Sequence, residues 1–232
     1  MTASIGDICA IACAEAFRGD GRKMVSPMGA MPKLGARLAR ATFSPRITLT
    51  DGVATILDED DQPAGWMPFS RVFDTLWSGR RHVMMGASQI DQYGNQNISA
   101  IGDWARPKVQ LLGARGAPGN TVCHPTSYFV AKHNARVFVP DVDFASGVGP
   151  SRGAHEIRCV VTNLGVFDFQ GPGQTMRVRS LHPGATLEQV AAATGFSVHA
   201  EGDVPTSRGP TAEEAAILER LDPGGRIRGS VG

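Results

Sequence analysis

Three short stretches of this 232-residue chain carry side chains that could do chemistry. The first is Thr50-Asp51-Gly52, which follows Ile47-Thr48-Leu49. The apolar–polar alternation suits a half-buried strand, so Asp51 stands at a strand end. A carboxylate there could act on a bound carbonyl as base or nucleophile. Asp-Gly is also turn chemistry: Asp accepts backbone hydrogen bonds and Gly tolerates positive φ. On residue types alone the turn is the favoured reading.

The second stretch is "GASQIDQYGNQNIS", residues 86–99. Gly86-Ala87-Ser88-Gln89 follows the apolar run "HVMMG". Ser88, Gln89, Asp91, Asn95 and Asn97 then set amides and a carboxylate in a row. Such side chains can hold a substrate, or can satisfy their own backbone in a turn. The third is "LLGARGAPGNTV", where Gly113, Gly116 and Gly119 lead into a helical pattern. A glycine turn of this kind lets backbone N–H groups approach an anion. It is neither a Walker A loop, which needs Lys-Ser/Thr, nor the G-x-G-x-x-G of dinucleotide sites, so ATP and NAD are not indicated.

These stretches need strands and helices to position them. Periodicity predicts helices at 5–17, 33–42, 69–80, 119–133, 186–195 and 211–221. Ser70 is the candidate cap of the third, with Phe73, Leu76 and Trp77 on one face. Strands are predicted at 46–50, 82–86, 97–101, 109–112 and 136–140, with antiparallel strands across 155–181. Residues 19–32 read as loop. Strands alternating with helices as far as Pro140 imply an α/β fold with an open, mainly parallel sheet covered on both faces, and a late antiparallel portion. In such sheets ligands bind beyond the carboxyl ends of strands, where all three stretches fall. Residues 1–205 form one domain in this reading, and 206–232 a C-terminal helix with a mobile tail.

Composition narrows the function. Lys+Arg 23 against Asp+Glu 22 leaves a net charge of +1, which argues against a nucleic-acid partner. No apolar run reaches the length of a membrane span, and the N-terminus lacks the pattern of a signal peptide. Cys9, Cys13, Cys123 and Cys159 form no C-x-x-C pair, and no Cys/His cluster has metal-ligand spacing. The expectation is a reduced cytoplasmic protein without metal.

Four motifs in order carry a resemblance. "GASQIDQYGNQNIS" is similar to the Gly-x-x-Gln-x-Asp-x-x-Gly-Asn-x-Asn stretch of class I coenzyme A transferase subunits. "VQLLGARGAPGN" resembles their glycine-rich loop, "VVTNLGVFDF" their Val-x-Thr-Asp-Leu-Gly-Val-Phe strand, and "LHPGATLEQVAAATGF" their closing His-Pro-Gly segment. The matches span roughly residues 40–200 and resemble a β-type subunit. The resemblance implies the CoA-transferase-like fold and pairing with a similarly folded α-type subunit, as an α2β2 heterotetramer.

In transferase β subunits of this family, the strand matching "ITLT" ends in a Glu that carries CoA as a thioester. Here Thr50 falls at the Glu and Asp51 at the residue after it, while Gly52 is kept. Thr50 cannot form that acyl intermediate. In the family's glycine loop, whose N–H groups form an oxyanion site, Arg115 takes a Gly position and Pro118 is added without an N–H. Arg115 could hold a carboxylate or thioester oxygen, or be a solvated loop residue. A kept scaffold with a lost nucleophile resembles the branch that opens the last ring of steroid-derived β-keto acyl-CoA thioesters by adding water.

The resemblance thus makes Thr50, Gly52, Gly86, Gln89, Arg115, Gly116, Ala117, Gly119 and Asn120 the candidate substrate contacts. The acid/base Glu is expected from the α-type subunit, Asp51 being the lesser candidate in this chain. No cofactor is implied beyond the CoA of the substrate. A transferase working through Asp51, and a scaffold subunit without chemistry of its own, remain alternatives.

Overall fold

Ser4 starts the first helix, α1 (Ile5–Glu15), through a reciprocal cap: its hydroxyl accepts the Asp7 N–H and Asp7 accepts the Ser4 N–H. The computed structural model describes residues 3–231, the side chain of Leu76 excepted. After α1 come β1 (Met24–Pro27), α2 (Ala30–Ala41), β2 (Thr48–Thr50), β3 (Thr55–Leu57), β4 (Pro63–Trp66), α3 (Phe69–Leu76) and β5 (Arg81–Met85). Two small ribbons follow, β6 (Gln89–Ile90) with β7 (Gln96–Asn97) and β8 (Ala100–Ile101) with β9 (Val109–Gln110). The chain then forms α4 (Ala117–Cys123), β10 (Pro125–Val130), β11 (Glu156–Thr162), β12 (Gly165–Asp168), β13 (Arg177–Leu181), α5 (Leu187–Ala192) and α6 (Ala212–Leu221).

Nine strands make one sheet in the order β13-β12-β11-β10-β5-β1-β2-β3-β4. Its five central strands, β11-β10-β5-β1-β2, are parallel. Both edges are antiparallel: β12 and β13 at one, β3 and β4 at the other. The predicted α/β sheet with its late antiparallel portion is present, and the second antiparallel edge is additional.

Successive side chains on a strand face opposite sides, so the sheet has two cores. Val25, Leu49, Met84 and Val161 pack with residues of α1, α2 and α6. Val83, Met85, Tyr128, Val160 and Phe167 pack on the other side with Ile90, Ala117, Phe138 and Val190. Helices α1 and α2 approach closely at Gly35, where a Cβ would lie 2.5 Å from Cys13 Cβ.

The structure corrects several sequence expectations. Residues 19–32 are not all loop, because they hold β1 inside the sheet and the first turn of α2. "MVSP" is only four residues beside Pro and Gly, too short to show a period. The helix predicted at 119–133 ends at Cys123, and after His124 the six residues Pro125–Val130 are β10. There Thr126, Tyr128 and Phe129 fit a pleated, buried strand, and its pairing with β5 and β11 overrides the helical pattern. "RVFVP" joins no strand and contributes a single bridge, Ile90 to Phe138. Helix α3 starts after Pro68, so Ser70 lies inside its first turn.

Helix α6 is capped by Thr211 and buries Ile217 and Leu218 in the first core. The segment after it, expected to be mobile, docks instead. Arg228 pairs with Asp7 at 2.8 Å, Glu219 at 2.9 Å and Asp222 at 3.2 Å, and Ile227 packs against the core.

Candidate active-site cleft

Beyond the carboxyl ends of β2, β1 and β5 lies a cavity of about 550 Å³. Its walls come from the three stretches singled out by sequence. Asp51, Gly52 and Val53 follow β2; Gly86, Ala87 and Ser88 follow β5; Leu112, Arg115, Gly116, Ala117 and Asn120 come from the glycine loop and α4. Met28, Gly29 and Lys33 close one side, and Phe69, Val72 and Phe73 of α3 another.

The turn after β2 is built by its own side chains. Asp51 Oδ1 accepts the N–H groups of Val53, Ala54 and Thr55 at 2.8, 2.9 and 3.1 Å. Burial raises the Asp51 pKa, but these backbone bonds outweigh it and leave it below the usual carboxylate value. Gly52 sits at φ +92°, and a Cβ there would meet the Pro27 carbonyl oxygen at 2.5 Å. Both the turn and the close approach to β1 therefore require glycine.

Thr50 is buried below the cleft and is not part of its wall. Its hydroxyl lies 3.1 Å from Ser26 Oγ and accepts the Gly52 N–H at 3.2 Å. Register places Thr50, Ser26 and Arg81 on one face of the sheet. Arg81 is buried too, with 3% of its surface exposed, and it lines the cleft. Its Nε–H donates to Ser26 Oγ at 2.9 Å and Nη1–H to Asn120 Oδ1 at 3.0 Å. Burial lowers its pKa to about 10, still well above neutrality.

The glycine loop offers fewer backbone donors than the resemblance implied. The Ala117 N–H is spent on the Ala114 carbonyl at 3.0 Å, and Pro118 has none. Arg115 occupies the left-handed region, with φ +48°, a conformation natural to glycine. Its exposed side chain lines the cleft. Gly119 lies within α4, away from the wall.

The amide-rich stretch works mainly as scaffold. Gln89 donates to Asp143 Oδ2 at 2.9 Å, and its Oε1 accepts from Asn97 Nδ2 at 2.7 Å and the Asp143 N–H at 2.9 Å. Those bonds occupy it outside the cleft. Asp91 accepts the N–H groups of Tyr93 and Asn95, and the Asn95 amide donates to Asp91 Oδ2. Of the nine candidate contacts, the structure gathers Gly52, Gly86, Arg115, Gly116, Ala117 and Asn120, and leaves out Thr50, Gln89 and Gly119. Asp51, the lesser catalytic candidate, also lines the cleft.

Sequence reasoning missed Arg81, Lys33 and the apolar wall of α3. A charged residue opening the apolar run "RHVMM" was the available signal for Arg81. A second polar group was also missed, on the opposite face of the sheet. Asp20 Oδ2 lies 2.6 Å from His82 Nδ1, and His82 Nε2 lies 2.9 Å from Ser127 Oγ. This has the connectivity of a hydrolytic triad. All three residues are buried, so no substrate reaches the serine. Burial lowers the His82 pKa and keeps the ring neutral. For Asp20, burial acts upward, but the hydrogen bond from His82 and the bond and charge of Arg158 hold the carboxyl at about 2.

Comparison with known proteins agrees with this architecture. A family model described as Coenzyme A transferase matches residues 73–193. The chain is 52% identical over 234 residues to the cholesterol ring-cleaving hydrolase IpdB subunit of Rhodococcus jostii (strain RHA1), covering 94% of this chain and 92% of the relative. Identity to the IpdB subunit of Mycobacterium tuberculosis (strain ATCC 25618 / H37Rv) is 50%, covering 94% of each. The crystal structure of R. jostii RHA1 IpdAB superposes with a TM-score of 0.94 at 48% identity, covering all of both chains. With half its positions shared along nearly its whole length, the chain belongs to the coenzyme A transferase family.

Proposed function

We propose that this chain is the β-type subunit of a heteromeric hydrolase that opens the last steroid ring of a cyclic β-keto acyl-CoA. The observation that carries this reading is Thr50. It stands where covalent transferases of the family hold their Glu, and its hydroxyl is buried against Ser26. A chain without that carboxylate has no route to an enzyme-bound CoA thioester at this position. Identity of 50–52% to subunits named as cholesterol ring-cleaving hydrolase supports the same activity.

The reaction then needs no covalent carrier. Water adds to the ring ketone, and the bond from that carbon to the thioester α-carbon breaks. The electron pair passes into the thioester enolate, which is then protonated at carbon. A new carboxylate forms and CoA stays attached. The demands are an activated water and stabilised oxyanions. The general base comes from the α-type subunit in this reading, and this chain supplies a cationic cleft wall. No metal or further cofactor is required, and the setting is the cytoplasm. No helix among the described residues is long and apolar enough to cross a membrane.

The partner is a homologous α-type subunit, in an α2β2 assembly. Support comes from apolar groups left open at the cleft: Val53, Phe69 and Leu112 are 51%, 60% and 74% exposed.

The test is turnover by the co-expressed complex of a bicyclic β-keto acyl-CoA remnant of steroid degradation in ¹⁸O-water. One ¹⁸O in the new carboxylate, with no thioester trapped by borohydride, is the expected result. CoA transfer to a free carboxylic acid with a trapped enzyme thioester would replace this reading with the transferase.

A further inference from the structure

Arg81 is the first residue of β5, yet it lines a cleft that opens beyond the last residue of that strand, Met85. Register sets Arg81 level with Met24 of the neighbouring β1, two residues before Ser26 on the same face. Ser26 therefore lies about 6–7 Å further toward the carboxyl ends of the strands. Arg81 reaches the cavity by lying along the sheet face, past Ser26. A long side chain with several free torsions keeps such a course only when it is held.

Two residues hold it. Nε–H donates to Ser26 Oγ at 2.9 Å and Nη1–H to Asn120 Oδ1 at 3.0 Å. Bonds from two different nitrogens fix the plane of a guanidinium as well as its position. Ser26 Oγ also accepts the Thr50 hydroxyl at 3.1 Å, so both of its lone pairs are taken. Thr50 Oγ1 in turn accepts the Gly52 N–H at 3.2 Å. A directed chain thus runs from the turn after β2, through two hydroxyls, to the guanidinium. Ser26 and Thr50 are each 1% exposed, and neither lines the cleft. Whatever they do to a bound molecule passes through the residues they hold. Packing alone would be served by Ala and Val at these positions; the hydroxyls add the bonds to Arg81 and Gly52.

We propose that Ser26 and Thr50 are positioning residues, which fix the direction in which Arg81 presents its guanidinium to an acyl-CoA in the cleft. This rests on the reading of the cleft as an acyl-CoA site, and it assigns a role to two side chains that lie beneath that site. Ser26 acts on Arg81 directly. Thr50 acts one bond further back, by orienting Ser26, so its effect is the smaller.

The test is a double-mutant cycle in the co-expressed complex with its α-type partner, read as kcat/KM. Ser26→Ala is expected to lower kcat/KM about tenfold, through loss of one hydrogen bond to a charged group. Thr50→Val keeps the shape and is expected to lower it about fivefold, while Thr50→Ser keeps the hydroxyl and stays within about twofold of wild type. In an Arg81→Gln background, Ser26→Ala and Thr50→Val should each cost less than about twofold more, because residues that act through one group are not additive. A merely structural role predicts the full loss in both backgrounds. Full additivity overturns the proposal, as does a wild-type kcat/KM in Ser26→Ala. If Ser26→Ala does not assemble, Thr50→Val carries the same cycle. The cycle is run on ring opening, or on CoA transfer if the complex catalyses that instead, so failure of the hydrolase reading leaves this test standing. For a complex with neither activity, crystal structures of the wild type and Thr50→Val decide: a displaced Arg81 guanidinium supports the proposal, and an unmoved one overturns it.

Discussion

Arg81 Nη1 donates to Asn120 Oδ1 at 3.0 Å, which ties strand β5 to the helix that follows the glycine loop. That buried bond joins the first residue of β5 to α4, and Ser26 and Thr50 extend the network to the carboxyl end of β2. The cleft floor is a continuous polar network on one face of the sheet.

Asp51 closes a turn, so Asp51→Asn keeps its acceptor oxygen. Its expected cost is under about 1–2 kcal/mol in urea unfolding, with turnover largely retained. Loss of turnover with folding and substrate affinity intact would make the carboxylate chemical and favour the transferase.

Gly52→Ala meets both a positive φ and the Pro27 carbonyl. About 2–4 kcal/mol of destabilisation is expected from strain and displaced backbone. Thermal unfolding measures it.

Thr50→Glu places a carboxylate in the network under the cleft. A buried Glu either protonates or finds a cation, and Arg81 already bonds to the same Ser26. The introduced carboxylate is expected to pair with Arg81, with a raised KM and no thioester trapped by hydroxylamine. A trapped CoA adduct would show that the variant has regained a nucleophile aimed at the substrate.

Arg115→Gly relieves the left-handed strain but loosens the unfolded chain, and the two effects largely cancel. Stability should change by less than about 1 kcal/mol, while KM for acyl-CoA rises about tenfold from loss of a cation, a change of roughly 1.4 kcal/mol. An unchanged KM would return Arg115 to the role of a solvated loop residue.

Stability should fall in mild acid. Burial depresses the pKa values of His124 and His133 to about 4, below the unfolded value of about 6.5. The unfolded chain then binds protons first as pH drops, so stability is full above about 6.5 and is lost down to about 4. His133 bridges Thr162 and Thr194 and stacks on Phe138. His133→Gln should flatten the slope of urea midpoint against pH in that window. Asp20, held at about 2, works in the same direction lower down: its stabilising effect is present above about 3.9 and disappears toward pH 2.

Local chemistry alone determined much of this protein. The Ser4, Thr186 and Thr211 caps each lie within three residues of their partners, so sequence spacing carries them. The Asp51-Gly52 turn, the scaffold role of Asp91 and Asn95, and the strand ends that bound the cleft are equally local. The short motifs in order also led to the family and its fold. Tertiary structure decided what rests on long-range pairing. "MVSP" became a central strand because β2 and β5 flank it. Residues 125–130 became a strand because β5 and β11 offered their edges, against a helical pattern. The Arg81 site joins residues 26, 50, 81 and 120, and the buried Asp20-His82-Ser127 chain joins three more distant positions. Neither has a period or a spacing to read, since a side chain's partner across a sheet is set by register and crossover, not by its neighbours in the chain.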